Sequence, residues 1–285
     1  MSARCVLVAG CGYVGTALAS RLAAVGHRVY GLSRHPDGLP DGVLGVRADL
    51  TDAASLRAIP DDVERVVFSA SPGGRTEEAY SAIYLDGLSN LLDAVSGRAV
   101  DRLLFTASTA VYGQDDGAWV DEASPTEPTR FSGEILLKAE ARLAAASLDT
   151  ASLRLAGIYG PGRTWLVRRV ANREATVAPP DSPPRYGNRI HRDDCAGALA
   201  HLLDLDAIEP VYVGVDDAPA PLAEVHAYVA ELLGVTLPEG DTGAGRGGNK
   251  RCRATALKAS GWTPQVPSYR EGYPAIVDGY LAERG

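Results

Sequence analysis

A chain of 285 residues is long enough for one large α/β domain, or for a nucleotide domain with a smaller appendage. Hydrophobic residues make up 46% and charged residues 22%, enough to bury a full core, while a net charge of −8 argues against nucleic acid or an anionic membrane as the main partner. Four cysteines without paired spacing (Cys5, Cys11, Cys195 and Cys252) fit reduced thiols in a cytosol, and neither a disulfide framework nor a zinc site.

The five histidines, His27, His35, His191, His201 and His226, form no HxxxH or HxH pair, so no metal site is expected. The first apolar run starts within a few residues of Met1 and leaves no room for a signal peptide. No run reaches the ~18 apolar residues of a membrane helix, and a cytoplasmic location is the expectation.

In chain order, Arg4–Ala9 (RCVLVA) reads as a strand buried on both faces of a parallel sheet. Glycines punctuate Gly10–Gly15, and Val14, Ala17, Leu18, Leu22 and Val25 then recur at helical spacing until Gly26. A strand over His27–Leu32 completes a βαβ unit of about 30 residues. The alternation continues with a strand near Leu44–Arg47, a helix from Thr51, a strand over Arg65–Ala70 and a long helix over Thr76–Val95. A strand at Arg102–Ala107, a helix over Ser132–Ala146 and a strand at Ala151–Ala156 follow. Parallel neighbours need crossover connections, so this order predicts a doubly wound parallel sheet of Rossmann type.

Beyond Gly157 proline and glycine cluster, at Gly160–Gly162, Pro179–Pro184, Pro219–Pro221 and Gly240–Gly248, and Gly243–Gly248 reads as a mobile loop. Helices are expected over Asp193–Leu205, Leu222–Leu233 and Glu271–Ala282. The reading is a nucleotide domain over 1–156 and a smaller α/β cap over 157–285, partly interleaved with the first sheet.

The motif Gly10-Cys11-Gly12-Tyr13-Val14-Gly15 follows a strand and opens a helix. In that setting Gly10 makes the tight turn, Gly12 lets a pyrophosphate approach the backbone and Gly15 lets helix and strand pack closely. The helix N-terminus adds free N–H groups and partial positive charge. The alternative is a glycine-rich turn with no ligand. An NAD site usually carries Asp or Glu at the end of the second strand, where this chain reads Tyr30-Gly31-Leu32-Ser33-Arg34-His35. Arg34 can pair with a 2′-phosphate and Ser33 can donate to it, which favours NADP(H) over NAD(H); an arginine in a loop can equally be solvated surface. Asp49, in Ala48-Asp49-Leu50, is placed either to meet the adenine or to cap the helix near Thr51.

Six segments in order, GCGYVG (Gly10–Gly15), ADL (Ala48–Leu50), TASTAVYG (Thr106–Gly113), LRLAGIYGPGR (Leu153–Arg163), NRIHRDDCA (Asn188–Ala196) and GWTP (Gly261–Pro264), resemble the extended short-chain dehydrogenase/reductase superfamily, its NAD-dependent epimerase/dehydratase group and that group's atypical branch. The resemblance implies a Rossmann domain with NAD(P) across the carboxyl edge of the sheet and a C-terminal cap for a small-molecule substrate. It also implies reduction, oxidation, epimerisation or dehydration by hydride transfer, and a possible homodimer through helices flanking the sheet. The implied cofactor residues are Gly10, Gly12, Tyr13, Val14, Gly15, Ser33, Arg34, Asp49, Leu50, Ser69 and Ala70.

The superfamily works through a Tyr-xxx-Lys pair, in which lysine and nicotinamide lower the tyrosine pKa, beside a serine that orients the substrate oxygen. Ser108 matches that serine. Counting back from Glu140, the tyrosine position is Ser132 and the lysine position Leu136, and the family's helical asparagine is Tyr84. Candidate catalytic groups are therefore Ser108, Tyr84 and Tyr112. Tyr84 can reach the active site or be a core residue, and Tyr112 and Tyr159 can flank the site or simply pack. Lys138 is expected on another, solvent-facing side of its helix. His191 can shuttle a proton or orient the loop before Asp193 and Asp194, which read as helix-capping acids. The expected function is an NAD(P)-dependent oxidoreductase or epimerase/dehydratase-like enzyme. The alternatives are an NADP(H)-binding sensor without catalysis, and a non-redox biosynthetic enzyme.

Overall fold

The computed structural model describes residues 3–179, 181–242 and 247–284. The chain opens on β1 (Cys5–Ala9), every residue of which is buried, and turns through the glycine loop into α1 (Tyr13–Ala24). Then come β2 (Arg28–Ser33) and β3 (Val43–Arg47). The helix expected from Thr51 is not formed. Only a 3₁₀ turn at Ser55–Ala58 stands there, because Asp49 accepts from the Thr51 N–H at 2.9 Å and Asp52 from the Ala54 N–H at 3.0 Å. Short acidic side chains satisfy those backbone donors locally and so compete with the helical ladder.

After β4 (Arg65–Phe68) the long helix expected from Thr76 to Val95 is present as three joined pieces. These are α2 (Glu77–Ser81), capped by the Thr76 hydroxyl, a π-helical turn over Ala82–Gly87, and α3 (Leu88–Val95). The elements that follow are β5 (Arg102–Ser108), a 3₁₀ turn at Thr109–Val111, β6 (Trp119–Val120), α4 (Phe131–Ala144) and β7 (Asp149–Leu155).

In the second half β8 (Gly157–Tyr159) leads to α5 (Trp165–Ala171), a helix the sequence reading did not separate from the surrounding loops. Next are β9 (Tyr186–Gly187), β10 (Arg189–His191), α6 (Arg192–Asp204) and β11 (Val211–Gly214). The chain continues with β12 (Ala220–Pro221), α7 (Leu222–Leu233), β13 (Arg251–Cys252), α8 (Thr255–Ala259) and α9 (Tyr269–Ala282). Of the loop expected at Gly243–Gly248, residues 243–246 lie outside the described residues.

The chain divides into two compact units that exchange segments along the sequence. The first comprises Met1–Val111, Pro128–Arg154 and Cys195–Tyr212, the second Tyr112–Glu127, Leu155–Asp194 and Val213–Gly285. Among the described residues the main sheet holds seven strands in the order β11-β7-β5-β4-β1-β2-β3. The β1–β2, β2–β3, β1–β4 and β4–β5 pairs run parallel. Val6–Ala9, Val66–Phe68 and Leu103–Phe105 are within 1% of full burial, as strands covered on both faces must be. Each such Leu or Phe contributes about 1.5–3 kcal/mol. Strand order reverses at β1 and β4, the place where this class of sheet opens a crevice at its carboxyl edge. The second unit has its own core, in which Val167 and Val170 of α5, Val225 and Val229 of α7, and Tyr273 and Ile276 of α9 pack together. Among the described residues no helix is long and apolar enough to cross a membrane.

Candidate functional site

The loop between β1 and α1 is shaped by three glycines that answer to different constraints. Gly10 has φ +104°, and a Cβ there would stand 2.4 Å from the Ala70 nitrogen. At Gly15 a Cβ would stand 2.1 Å from the Gly10 carbonyl oxygen and 2.5 Å from Ser69 Oγ. Packing within the chain therefore forbids a side chain at both. Gly12 is different: it is exposed, its φ is −86°, and a Cβ would meet no described residue within 4 Å. No described neighbour calls for glycine there, whereas a diphosphate laid against the backbone would.

The loop is held in place by Ser69 Oγ, which donates to the Gly10 carbonyl at 2.7 Å, and by the Gly10 N–H, which donates to the Leu32 carbonyl at 3.0 Å. The helix behind it begins with Gly12 as its cap residue, makes no side-chain capping bond and has no acid in its first turn. Neither a side-chain cap nor an acid of its own first turn therefore competes for the positive end of its dipole. Tyr13 and Val14 open this helix, Val14 buried beneath it. Together these residues fit a dinucleotide diphosphate. The Cys11 thiol beside them is pushed up to about 11 by burial and is not reactive at neutral pH.

At the ends of β2 and β3 the side chains are polar. Ser33 Oγ accepts from the His35 N–H at 3.2 Å and fixes the turn that presents Arg34, which is exposed. Asp49 does not cap a helix near Thr51, since none forms there; it holds a turn instead, its Oδ1 accepting from the Thr51 N–H at 2.9 Å and the Thr51 hydroxyl at 2.8 Å. Those two bonds, and then the nearby charge of Arg34, hold its carboxyl below the ordinary carboxylate value. Leu50 is buried and its carbonyl accepts from Asn90 Nδ2 at 2.8 Å.

Ser108 ends β5, and its Oγ accepts from the Ala110 N–H at 3.2 Å. Tyr84 lies in the π-helical turn, its ring edge-on to Phe105 (5.9 Å between centroids) and to Tyr80 (5.6 Å). A π turn leaves carbonyls without their usual partners, and Arg142 of α4 supplies one, donating to the Leu85 carbonyl at 2.7 Å and to Ser89 Oγ at 2.6 Å. Burial pushes the Tyr84 phenol well above its ordinary value, opposite to the shift a Tyr-xxx-Lys pair produces.

The start of α4 is pressed against the 3₁₀ turn after β5, since a Cβ on Gly133 would stand 2.6 Å from the Ala110 carbonyl oxygen. The neighbouring Ser132 and Leu136 occupy the tyrosine and lysine positions of the resemblance. Leu136 is 3% exposed, and Lys138 is exposed. Glu140 makes a bidentate pair with Arg154 at 2.9 and 2.6 Å, both side chains nearly buried, and so ties α4 to β7.

In the second unit Tyr112 is buried, and its carbonyl accepts from Nζ of Lys250 at 2.8 Å. Lys250 is 1% exposed and donates also to the Gly247 carbonyl; burial lowers its pKa. Sequence reasoning missed this lysine because it sits beside a glycine-rich stretch that reads as loop. Tyr159 stacks on Tyr273 at 5.1 Å and donates to the Ser268 carbonyl at 3.1 Å, with its phenol also raised by burial. His191 Nδ1 accepts from the Asp193 N–H at 3.3 Å, the loop-orienting role. Asp193 and Asp194 lie in the first turn of α6, but Asp194 does not cap that helix: its carboxylate accepts from the Gln265 and Val266 N–H groups at 2.7 and 3.0 Å.

A parallel sheet with an open glycine at the β1–α1 turn, an uncapped helix behind it and a serine at the end of the fifth strand defines a Rossmann-type protein of the nucleotide-dependent kind. The model of the NAD dependent epimerase/dehydratase family matches residues 6–210, and the chain belongs to that family. Protein YeeZ of Escherichia coli K12 is 31% identical over 248 residues, covering 82% of this chain and 85% of YeeZ. A solved structure from Methylobacillus flagellatus, provisionally described as an NAD-dependent epimerase/dehydratase, is 36% identical with full coverage of both chains and a TM-score of 0.82. The UDP-glucose 4-epimerase of Thermus thermophilus, solved with NAD, is 24% identical over 98% of this chain and 99% of its own, with a TM-score of 0.79, a likeness of fold.

Proposed function

We propose that the chain is an NADP(H)-dependent enzyme of oxidoreductase or epimerase/dehydratase-like kind, acting on a small carbonyl- or hydroxyl-bearing substrate. The observation that carries this reading is Gly12, open on its Cβ side in front of an uncapped α1, with Arg34 and no carboxylate at the end of β2. A bound nicotinamide supplies or accepts a hydride. The chain's own part is to hold the diphosphate on α1, to set Arg34 against a 2′-phosphate, and to offer the Ser108 hydroxyl to the substrate oxygen. The Ala110 N–H occupies Ser108 as an acceptor and leaves its own hydrogen to donate.

Acid–base assistance is weak in this arrangement. With Tyr84 raised by burial, no phenolate forms near neutral pH, and the phenol serves only as a hydrogen-bond donor. Positioning and electrostatics remain, which supports slow turnover rather than none. The buried Leu136 favours a second reading, an NADP(H)-binding sensor without hydride transfer.

Titration with NADP(H) and NAD(H), followed by a panel of carbonyl and alcohol substrates, separates the two. Tight NADP(H) binding with coenzyme turnover on any substrate supports the enzyme. Tight binding with a conformational response and no turnover supports the sensor, and conversion that survives removal of the coenzyme points to non-redox chemistry.

A further inference from the structure

One strand over from Arg34 lies a second arginine. β2 and β3 pair in register with Ser33 opposite Arg47, so the Ser33 and Arg47 side chains leave the sheet on one face at its carboxyl edge. The exposed Arg47 guanidinium folds across the end of β2. There Nη1 donates to the Arg34 carbonyl at 3.1 Å and Nη2 to Asp37 Oδ2 at 3.1 Å. The turn from Ser33 to Asp37 therefore carries the exposed Arg34 and, bonded to its backbone, the guanidinium of Arg47.

Two carboxylates lie near these arginines: Asp49, held ionised by its bonds to Thr51 and then by the charge of Arg34, and Asp37, whose side chain is 84% exposed and pairs with Arg47. Asp37 is the weaker hold. An exposed Arg–Asp pair is worth about 0–1 kcal/mol, whereas a phosphoryl group presents several strong acceptor oxygens to the same planar donor. The backbone bond to the Arg34 carbonyl keeps the guanidinium at the strand end while its outer edge changes partner.

We infer that Arg47 is a second coenzyme-specificity residue, which leaves Asp37 and pairs with the 2′-phosphate of NADP(H) beside Arg34. The inference rests on the NADP(H) reading above and adds to it a residue from β3, with Asp37 as the internal competitor that screens Arg47 in the free protein.

The test is the dissociation constant of the intact protein for NADP⁺ and NAD⁺, for wild type, R34A, R47A and D37N, with unfolding midpoints as the control for folding. R47A weakens NADP⁺ about tenfold, a loss of about 1.4 kcal/mol, and leaves NAD⁺ within about twofold. D37N tightens NADP⁺ by a few-fold and leaves NAD⁺ unchanged. If R47A matches wild type for NADP⁺, or weakens both coenzymes equally, the inference is overturned, while a selective loss in R34A keeps the NADP(H) reading intact. If wild type binds NAD⁺ more tightly than NADP⁺ and R34A changes neither, the NADP(H) reading fails and Arg47 falls with it.

Discussion

Single residues separate what the chain needs in order to fold from what it needs for a ligand. Gly10 and Gly15 are demanded by neighbours closer than any Cβ tolerates, and Gly12 is not. Replacing Gly12 with alanine is therefore expected to leave the unfolding midpoint within about a degree and to weaken both coenzymes by about tenfold or more, since the new methyl stands where the diphosphate approaches. Calorimetric titration beside a thermal melt checks both halves. An equal loss of stability and binding would return Gly12 to an ordinary turn residue. The spacing of these glycines after an apolar run is legible in the sequence, and so is the missing acid after Leu32. Arg47 was not legible: in one dimension it is an arginine near the end of a short strand, and only the β2–β3 register brings it across to Arg34.

Among the elements, α4 explains a puzzle in the sequence, where Glu140 is kept although the tyrosine and lysine before it are gone. Glu140 holds Arg154 of β7 in a nearly buried bidentate pair, a structural task that does not depend on the chemistry lost at Ser132 and Leu136. Glu140→Ala leaves the guanidinium of Arg154 buried without its carboxylate and is expected to cost about 3–5 kcal/mol, read as a fall in the denaturant midpoint at unchanged m-value. A loss under about 1 kcal/mol would show that the pair is dispensable.

The same helix braces the π turn through Arg142, and this could not be foreseen. The periodicity over Thr76–Val95 reads as a plain helix, because a single π turn shifts the register without breaking the apolar pattern. The absent helix after Thr51 is a related failure. Its residues are compatible with a helix, but Asp49 and Asp52 hydrogen-bond to the backbone two residues on and hold turns instead.

For the molecule as a whole, a buried carboxyl in the second unit sets an expectation for pH. Asp216 is 3% exposed, its Oδ1 accepts from the Ala218 N–H at 3.2 Å, and its Oδ2 has no partner among the described residues. Burial raises its pKa to about 7; the Arg189 charge and the Ala218 bond oppose this, while Asp217 and Asp194 add to it. The folded state then holds a proton that the unfolded chain releases near pH ~4. This contribution is complete below about pH 4 and is lost as the pH rises through about 7, at no more than about 1.4 kcal/mol per pH unit. Unfolding free energies should fall with that slope from about pH 4.5 to about pH 7 in wild type and level off by about pH 8.5, and Asp216→Asn should lose the slope. Parallel profiles for the two proteins would place the proton elsewhere. The parallel sheet itself was legible from alternating strand and helix patterns, but the assignment of residues 195–212 to the first unit was not, since nothing in a linear reading ties α6 to β5.

That tie has a consequence for how the polypeptide is made. Arg102 at the start of β5 is buried, and its guanidinium reaches Asp149 and the carbonyls of Leu202, Leu205 and Asp206, at distances of 2.6 to 3.3 Å. A nascent chain that has emerged only as far as residue 156 carries every glycine of the coenzyme loop, yet it lacks the carbonyl collar that accepts this cation and the outermost strand beside β7. Truncation at that point removes α6, β11 and the carbonyls that accept the Arg102 guanidinium, so the first unit is complete only once the segment through Tyr212 has been made.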